Sequence, residues 1–178
     1  MLNLTESKIG SLSLVFFYYL ISFYLAYIIS KTTNLDGWFL ILFWHITATL
    51  IIFIFSKIHS NSSIYDPFWH VAPIPIVIYI ASSSSLSNFQ QSLVLSAFLF
   101  WAMRLTYNWF LNWTNLDHED FRYIDLKDNN KLLAFVNDLF GIHLIPTLIV
   151  NASLYPIYVA LSSDYLNNLV YVGFILII

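Results

Sequence analysis

Arg104 and Asn108 lie inside a membrane-length apolar run, Ser92–Leu111, and the run ends in a dense charged loop, Asp117-His118-Glu119-Asp120-Phe121-Arg122-Tyr123. Four residues apart, Arg104 and Asn108 share a helix face, with Trp101 a turn earlier. A charge in hydrocarbon is expensive and usually faces the bundle interior or a water-filled cavity. The competing reading is snorkelling. Arg104 is seven residues from Leu111, roughly 10 Å along a helix, within a guanidinium's reach of the interface. Both readings stand, and Asn108 is a functional amide only if Arg104 is functional too.

The charged loop also reads two ways. It is a solvated, internally salt-bridged connection, or Arg122 and Lys127 are phosphate partners at the membrane surface, oriented by Glu119 or Asp120. A metal site is not expected: His118 and Glu119 are adjacent rather than spaced along a helix face, and His-Glu-x-x-His is absent. No Gly-x-Gly-x-x-Gly or Gly-Lys-Ser/Thr motif occurs among only four glycines, so a backbone phosphate cradle has little to build on. With no cysteine, thiolate chemistry is excluded, and no Ser-His spacing suggests a triad. Two polar stripes complete the candidates: His143, Thr147, Asn151, Tyr155 and Tyr158 within about 120° of one helix, and His45, Thr49 and Ser56 on another. Such stripes commonly hydrogen-bond neighbouring helices. Converging, they suggest a polar-lined pocket between spans.

The elements that must position these groups are membrane helices. Of 178 residues, 59% are hydrophobic, 19% aromatic and 10% charged, with mean hydropathy +0.73. Soluble domains carry about a quarter charged residues, so the chain reads as an integral membrane protein with one domain's worth of length, an all-α bundle. The small net charge of −3 has no basic patch for nucleic acid. Taking about 20 apolar residues per crossing, Ile9–Ser30, Gly37–Ser56 and Ser92–Leu111 are spans. Tyr65–Ala81 is a fourth, starting with Asp66 as cap and Pro67 in the first turn. Pro73 and Pro75 break or kink it. Leu132–Leu161 is too long for one crossing; Gly141 is the natural break, after a short interfacial helix Lys131–Phe140 and before a span Ile142–Leu161 bent near Pro146. Leu166–Ile178 makes an incomplete sixth, giving about five full spans. With the N-terminus cytoplasmic, Lys8, Lys57, Arg122, Lys127 and Lys131 fall inside and only Lys31 outside, which puts the 112–131 loop in the cytoplasm.

Three stretches together carry a resemblance. They are Tyr65-Asp66-Pro67-Phe68-Trp69 running on to Val71-Ala72-Pro73; Arg104-Leu105-Thr106-Tyr107-Asn108-Trp109 followed by His118-Glu119-Asp120-Phe121-Arg122-Tyr123; and Leu139-Phe140-Gly141-Ile142-His143 leading to Pro146-Thr147. In order and spacing these resemble the membrane family called domain of unknown function 1295, within the steroid 5-alpha-reductase-like superfamily, over about residues 60–160. Phe121 stands where the family pattern has tryptophan, and His70 where it has a small residue. The resemblance implies an all-helical oxidoreductase that uses NADPH to reduce a carbon–carbon double bond conjugated to a carbonyl in a lipid or steroid-like substrate drawn from the bilayer. It implies Arg104, Tyr107 and Asn108 lining a catalytic cavity, Asp66 and Trp69 at its rim with His143 in the substrate pocket, and Glu119, Asp120, Arg122 and Tyr123 shaping the cofactor's mouth. Relatives continue through an acidic-glutamine stretch and an Arg-His-Pro-Asn-Tyr motif linked to cofactor binding. On that comparison the chain is expected to be the front portion of a longer protein, inactive alone. Two alternatives are a methyltransferase of the same superfamily using S-adenosylmethionine and a non-catalytic lipid-binding membrane protein or truncated gene product.

Overall fold

The computed structural model describes residues 5–126 and 130–177; Lys127 lies outside them. Among the described residues every regular element is helical, with no strand. Helix α1 (Lys8–Lys31) starts where Ser7 Oγ accepts the Gly10 amide at 3.0 Å, the side-chain capping that serves an otherwise unpaired donor. Its buried face includes Ser11, Ser22, Ala26 and Ser30. Small side chains of this kind let membrane helices approach closely, and α1 packs along α2 (Gly37–Ile58). Gly37 opens α2 at φ +50°, and a Cβ there would meet the Tyr158 hydroxyl at 3.0 Å. That position therefore needs glycine.

The next crossing is broken, as the prolines predict. A 3-10 turn (Ser62–Tyr65) leads to α3 (Phe68–Val71), and after Ala72 to α4 (Pro73–Ser82). Asp66 does not cap it. Its backbone is already right-handed helical (φ −53°, ψ −48°), Pro67 occupies the cap position of α3, and the Asp66 carboxylate instead accepts the Tyr123 hydroxyl. A cap residue is extended, and here the preceding 3-10 turn runs through Asp66 without leaving helical space. Phe68, Tyr65 and Ile64 are essentially fully buried. Phe68 meets Tyr19 edge-on at 5.2 Å and stacks on Phe23 at 5.6 Å, while Tyr19 donates to the Ile64 carbonyl at 2.6 Å.

Helix α5 (Asn88–Asn112) is capped by Ser87, and the connection beyond it carries the short α6 (Phe121–Leu126). From Lys131 to Leu161 the chain is one helical stretch: α7 (Lys131–Val136), a π-helical segment (Asn137–Leu144), α8 (Ile145–Ser153) and α9 (Tyr155–Leu161). Gly141 is therefore no break. It lies inside the π-turns, where the wider ring absorbs the register change ahead of Pro146. The interruption comes instead at Leu154, just before Pro156. Helix α10 (Leu169–Ile177) packs on α5. Among the described residues four stretches are long and apolar enough to cross a membrane: Lys8–Lys31, Gly37–Ile58, Ser62–Ser82 and Lys131–Leu161. Helix α5 has the length at 25 residues but, with its glutamines, asparagines and Arg104, falls below their hydropathy.

Candidate ligand site

Two cavities share one wall. The first, of about 590 Å³, is lined by apolar side chains of α5, α8, α9 and α10, among them Leu93, Phe98, Trp101, Ile157 and Phe174. The second, of about 400 Å³, is polar and lies between the start of the broken crossing, the last turns of α5 and the α6 loop. Trp69 lines both.

Helix periodicity decides which α5 residues reach the polar cavity. Leu105, Asn108, Trp109 and Asn112 form a 3-4-spaced stripe facing it. Arg104 sits one helical step off that stripe. It is exposed, lines neither cavity, and has no ion-pair partner among the described residues. Tyr107 is 63% exposed and faces a separate apolar groove between α1 and α5, beside Phe16 and Met103. Of the three residues anticipated as catalytic, only Asn108 stands in the polar cavity. Asp66, Trp69, Asp120, Arg122 and Tyr123 join it there.

Local structure explains their positions. Asp120 N–H donates to Ser63 Oγ at 2.8 Å, and Ser62 N–H donates to Glu119 Oε1 at 2.6 Å. The loop is thus pinned to the first turn of the broken crossing, where a carboxylate suits the unpaired amides of a helix start. Glu119 is engaged in that pinning and lines neither cavity. Arg122 donates through Nε and Nη2 to both Asp120 oxygens at 2.8 Å. This fork holds the Asp120 carboxyl below its ordinary range and raises the guanidinium further. Burial, then the adjacent Asp66 carboxylate, push the Tyr123 phenol well above its usual value, so it stays a hydroxyl donor to Asp66.

His143 belongs to a different structure. It is fully buried in the π-segment; Nε2 pairs with Ser56 Oγ at 3.1 Å, and Nδ1 reaches the Asp138 carbonyl at 2.9 Å. The neighbouring stripe residues pair likewise: Thr49 with Thr147 at 2.8 Å, Tyr65 with Thr147 at 2.6 Å, Asn151 with His45 at 3.3 Å. The two stripes meet between α2 and the π-α8 stretch, where Ser56, Thr49 and His45 pair with His143, Thr147 and Asn151, while His45 Nε2 is buried without a partner among the described residues.

Three groups in the polar cavity were given no role from the sequence, although Trp109 falls in a stretch that carries the resemblance and His70 departs from its pattern. Trp109 and Trp113 stack at 4.8 Å, and the indole Nε1 of each is buried without a hydrogen-bond partner among the described residues. His70, 2% exposed, is the third. The available signals were spacing: Trp109 and Trp113 lie four apart, as do Asp66 and His70.

The family model described as a protein of unknown function, domain of unknown function 1295, matches residues 52–178. The chain belongs to that family. No curated protein and no solved structure matches it significantly.

Proposed function

We propose that this chain is the lipid-binding body of a membrane oxidoreductase, taking the hydrophobic part of its ligand into the apolar cavity and the polar end into the adjoining polar one. The observation that carries the reading is the pair of cavities sharing Trp69: an apolar chamber of about 590 Å³ is a lipid-sized volume, and the polar chamber beside it holds a few placed donors and acceptors. The reaction implied by the resemblance is reduction of a double bond conjugated to a carbonyl. There the protein's part is to hold the carbonyl while charge develops on oxygen, and donors without another partner serve that best. The Asn108 amide, which lines the polar cavity at an exposed position, is the candidate.

The phosphates of NADPH, the cofactor implied by the resemblance, do not fit the donor set described in this cavity. Its one arginine has two of its nitrogens engaged by Asp120, and the Asp66 and Asp120 carboxylates stand beside it, so a polyanion would meet net repulsion. Asp120, Arg122 and Tyr123 are accordingly read as the wall of the polar chamber, and no chemical step is assigned to the cofactor here.

Tryptophan quenching tests the reading. The full chain in phosphatidylcholine nanodiscs, titrated with a brominated long-chain enone, should show saturable quenching that Trp69→Phe and Trp101→Phe each reduce. Quenching that rises linearly with probe, as for bulk lipid contact, would refute it.

A further inference from the structure

The His70 imidazole is 2% exposed, yet only one of its nitrogens is used. Nδ1 lies 2.9 Å from Thr106 Oγ1, and the same hydroxyl donates to the Ala102 carbonyl at 2.8 Å. A hydroxyl has one proton. With that proton committed to Ala102, Thr106 accepts from His70, which places the imidazole hydrogen on Nδ1 and leaves Nε2 an acceptor. Nε2 has no hydrogen-bond partner among the described residues. It is not sealed, as His45 Nε2, Trp109 Nε1 and Trp113 Nε1 are, and His70 lines the polar cavity.

One helical turn earlier, Asp66 lines the same cavity. The backbone is in right-handed helical space at Asp66, at Pro67 and through α3 to Ala72, so Asp66 and His70, four apart, share a face. The Asp66 carboxylate accepts the Tyr123 hydroxyl and has no ion-pair partner among the described residues. Asp120, in the same wall, differs: both its oxygens are taken by Arg122, and that pair is electrically closed. With His70 and His118 neutral, the cavity therefore holds one uncompensated negative charge, on Asp66, beside an acceptor that lacks a donor. Ligand chemistries sort on these two features. A carbonyl or ether gives Nε2 nothing. A hydroxyl serves Nε2 and leaves the Asp66 charge uncompensated, while a phosphate adds negative charge beside it. A quaternary ammonium balances Asp66 but has no N–H for Nε2. A primary ammonium brings both the charge and three donors. We propose that the polar cavity takes the primary-ammonium end of a lipid amine, which donates to His70 Nε2 and pairs with the Asp66 carboxylate while its chain occupies the apolar cavity beyond Trp69. This deepens the lipid-binding reading and rests on it; binding alone is involved, and no bond is made or broken.

Three brominated probes with the same long chain separate the outcomes: a primary amine, its trimethylammonium analogue and the primary alcohol. Each is titrated at neutral pH into phosphatidylcholine nanodiscs holding the full chain, and tryptophan quenching is compared at equal mole fraction in the bilayer. Wild-type protein should bind the amine about tenfold more tightly than the alcohol, as for one charge-assisted hydrogen bond, with the trimethylammonium probe between them. Asp66→Asn keeps an acceptor for Tyr123 and should bring the amine down to the alcohol's level. His70→Leu should remove the amine's advantage over the trimethylammonium probe while both cations still outbind the alcohol. The wild-type ranking needs no variant, so it carries the test if either substitution does not fold. An alcohol or a trimethylammonium probe bound as tightly as the amine by wild type, or an Asp66→Asn that weakens all three alike, would overturn the ammonium assignment while leaving lipid binding intact. Saturable quenching by none of the three would instead remove the lipid-binding reading.

Discussion

Asp138 is a buried carboxylate with partners from three elements: 1% exposed, it accepts from Lys57 Nζ, from Ser62 Oγ at 2.8 Å, and lies 3.3 Å from His143 Nδ1. It joins the end of α2, the start of the broken crossing and the π-segment at one point. Asp138→Ala strands Lys57 and the Ser62 hydroxyl together. Breaking a buried pair from one side costs about 3–5 kcal/mol; Lys57 is 39% exposed, so water recovers part and a loss of about 2 kcal/mol is expected. Denaturation by sodium dodecyl sulfate in mixed micelles measures it, and a loss under about 0.5 kcal/mol, the level of an ordinary surface substitution, would remove Asp138 from the core. Asp120 gives a pH test. Its folded pKa is depressed by the Arg122 fork, so its contribution is present above the ordinary aspartate value and fades as pH falls through the lowered one. Hydrogen exchange of residues 121–126, corrected for intrinsic rate, should accelerate only below the ordinary aspartate range. Arg122→Gln should move that onset up towards the ordinary value.

At the scale of elements, the π-segment Asn137–Leu144 sets the rotation of α8 against α2. One residue more or less in a helix turns everything beyond it by about 100°. Deleting Gly141 should therefore separate Asp138 from Lys57, or Thr147 from Thr49, and abolish the folded state in the same detergent titration. Gly141→Ala should do the opposite. A Cβ there meets nothing within 4 Å, and alanine gains up to about 1 kcal/mol over glycine inside a helix. A destabilised Gly141→Ala would mean that the turn depends on glycine. The pair also shows what could be read in advance. Spans were legible from hydropathy, and the break after Ala72 from Pro73 and Pro75. Gly141 misleads because its helix penalty is small beside the packing of a 31-residue stretch. Asp66-Pro67 misleads because a cap motif specifies a start only when the preceding residues are not already helical.

Across the whole molecule, polar connections collect at two ends. At one, Lys8 Nζ donates to the Phe110 carbonyl at 2.7 Å, Asn115 to the Glu6 carbonyl at 3.0 Å, and Asn61 to the Leu116 and His118 carbonyls. At the other, Ser85 pairs with Asp164 at 3.0 Å and Trp38 packs edge-on against Tyr155 at 5.1 Å. Sequence alone grouped Lys8, Lys57 and Arg122 on one side through their charge. It could not show that the stripes of α2 and α8 pair with each other, because Thr49 and Thr147 are 98 residues apart and only tertiary packing selects the partner. It could not rank Arg104 below Asn108 either, since the two differ by a rotation about α5 that its neighbours set. The two ends should lie on opposite faces of the bilayer, the Lys8 end in the cytoplasm. The chain has no cysteine, so single replacements report cleanly. Ser83→Cys and Asp117→Cys are both at exposed positions. In intact cells a membrane-impermeant maleimide should label Ser83→Cys and spare Asp117→Cys until the membrane is opened. The reverse pattern would invert the orientation, and labelling of both would mean that the ends do not face opposite compartments.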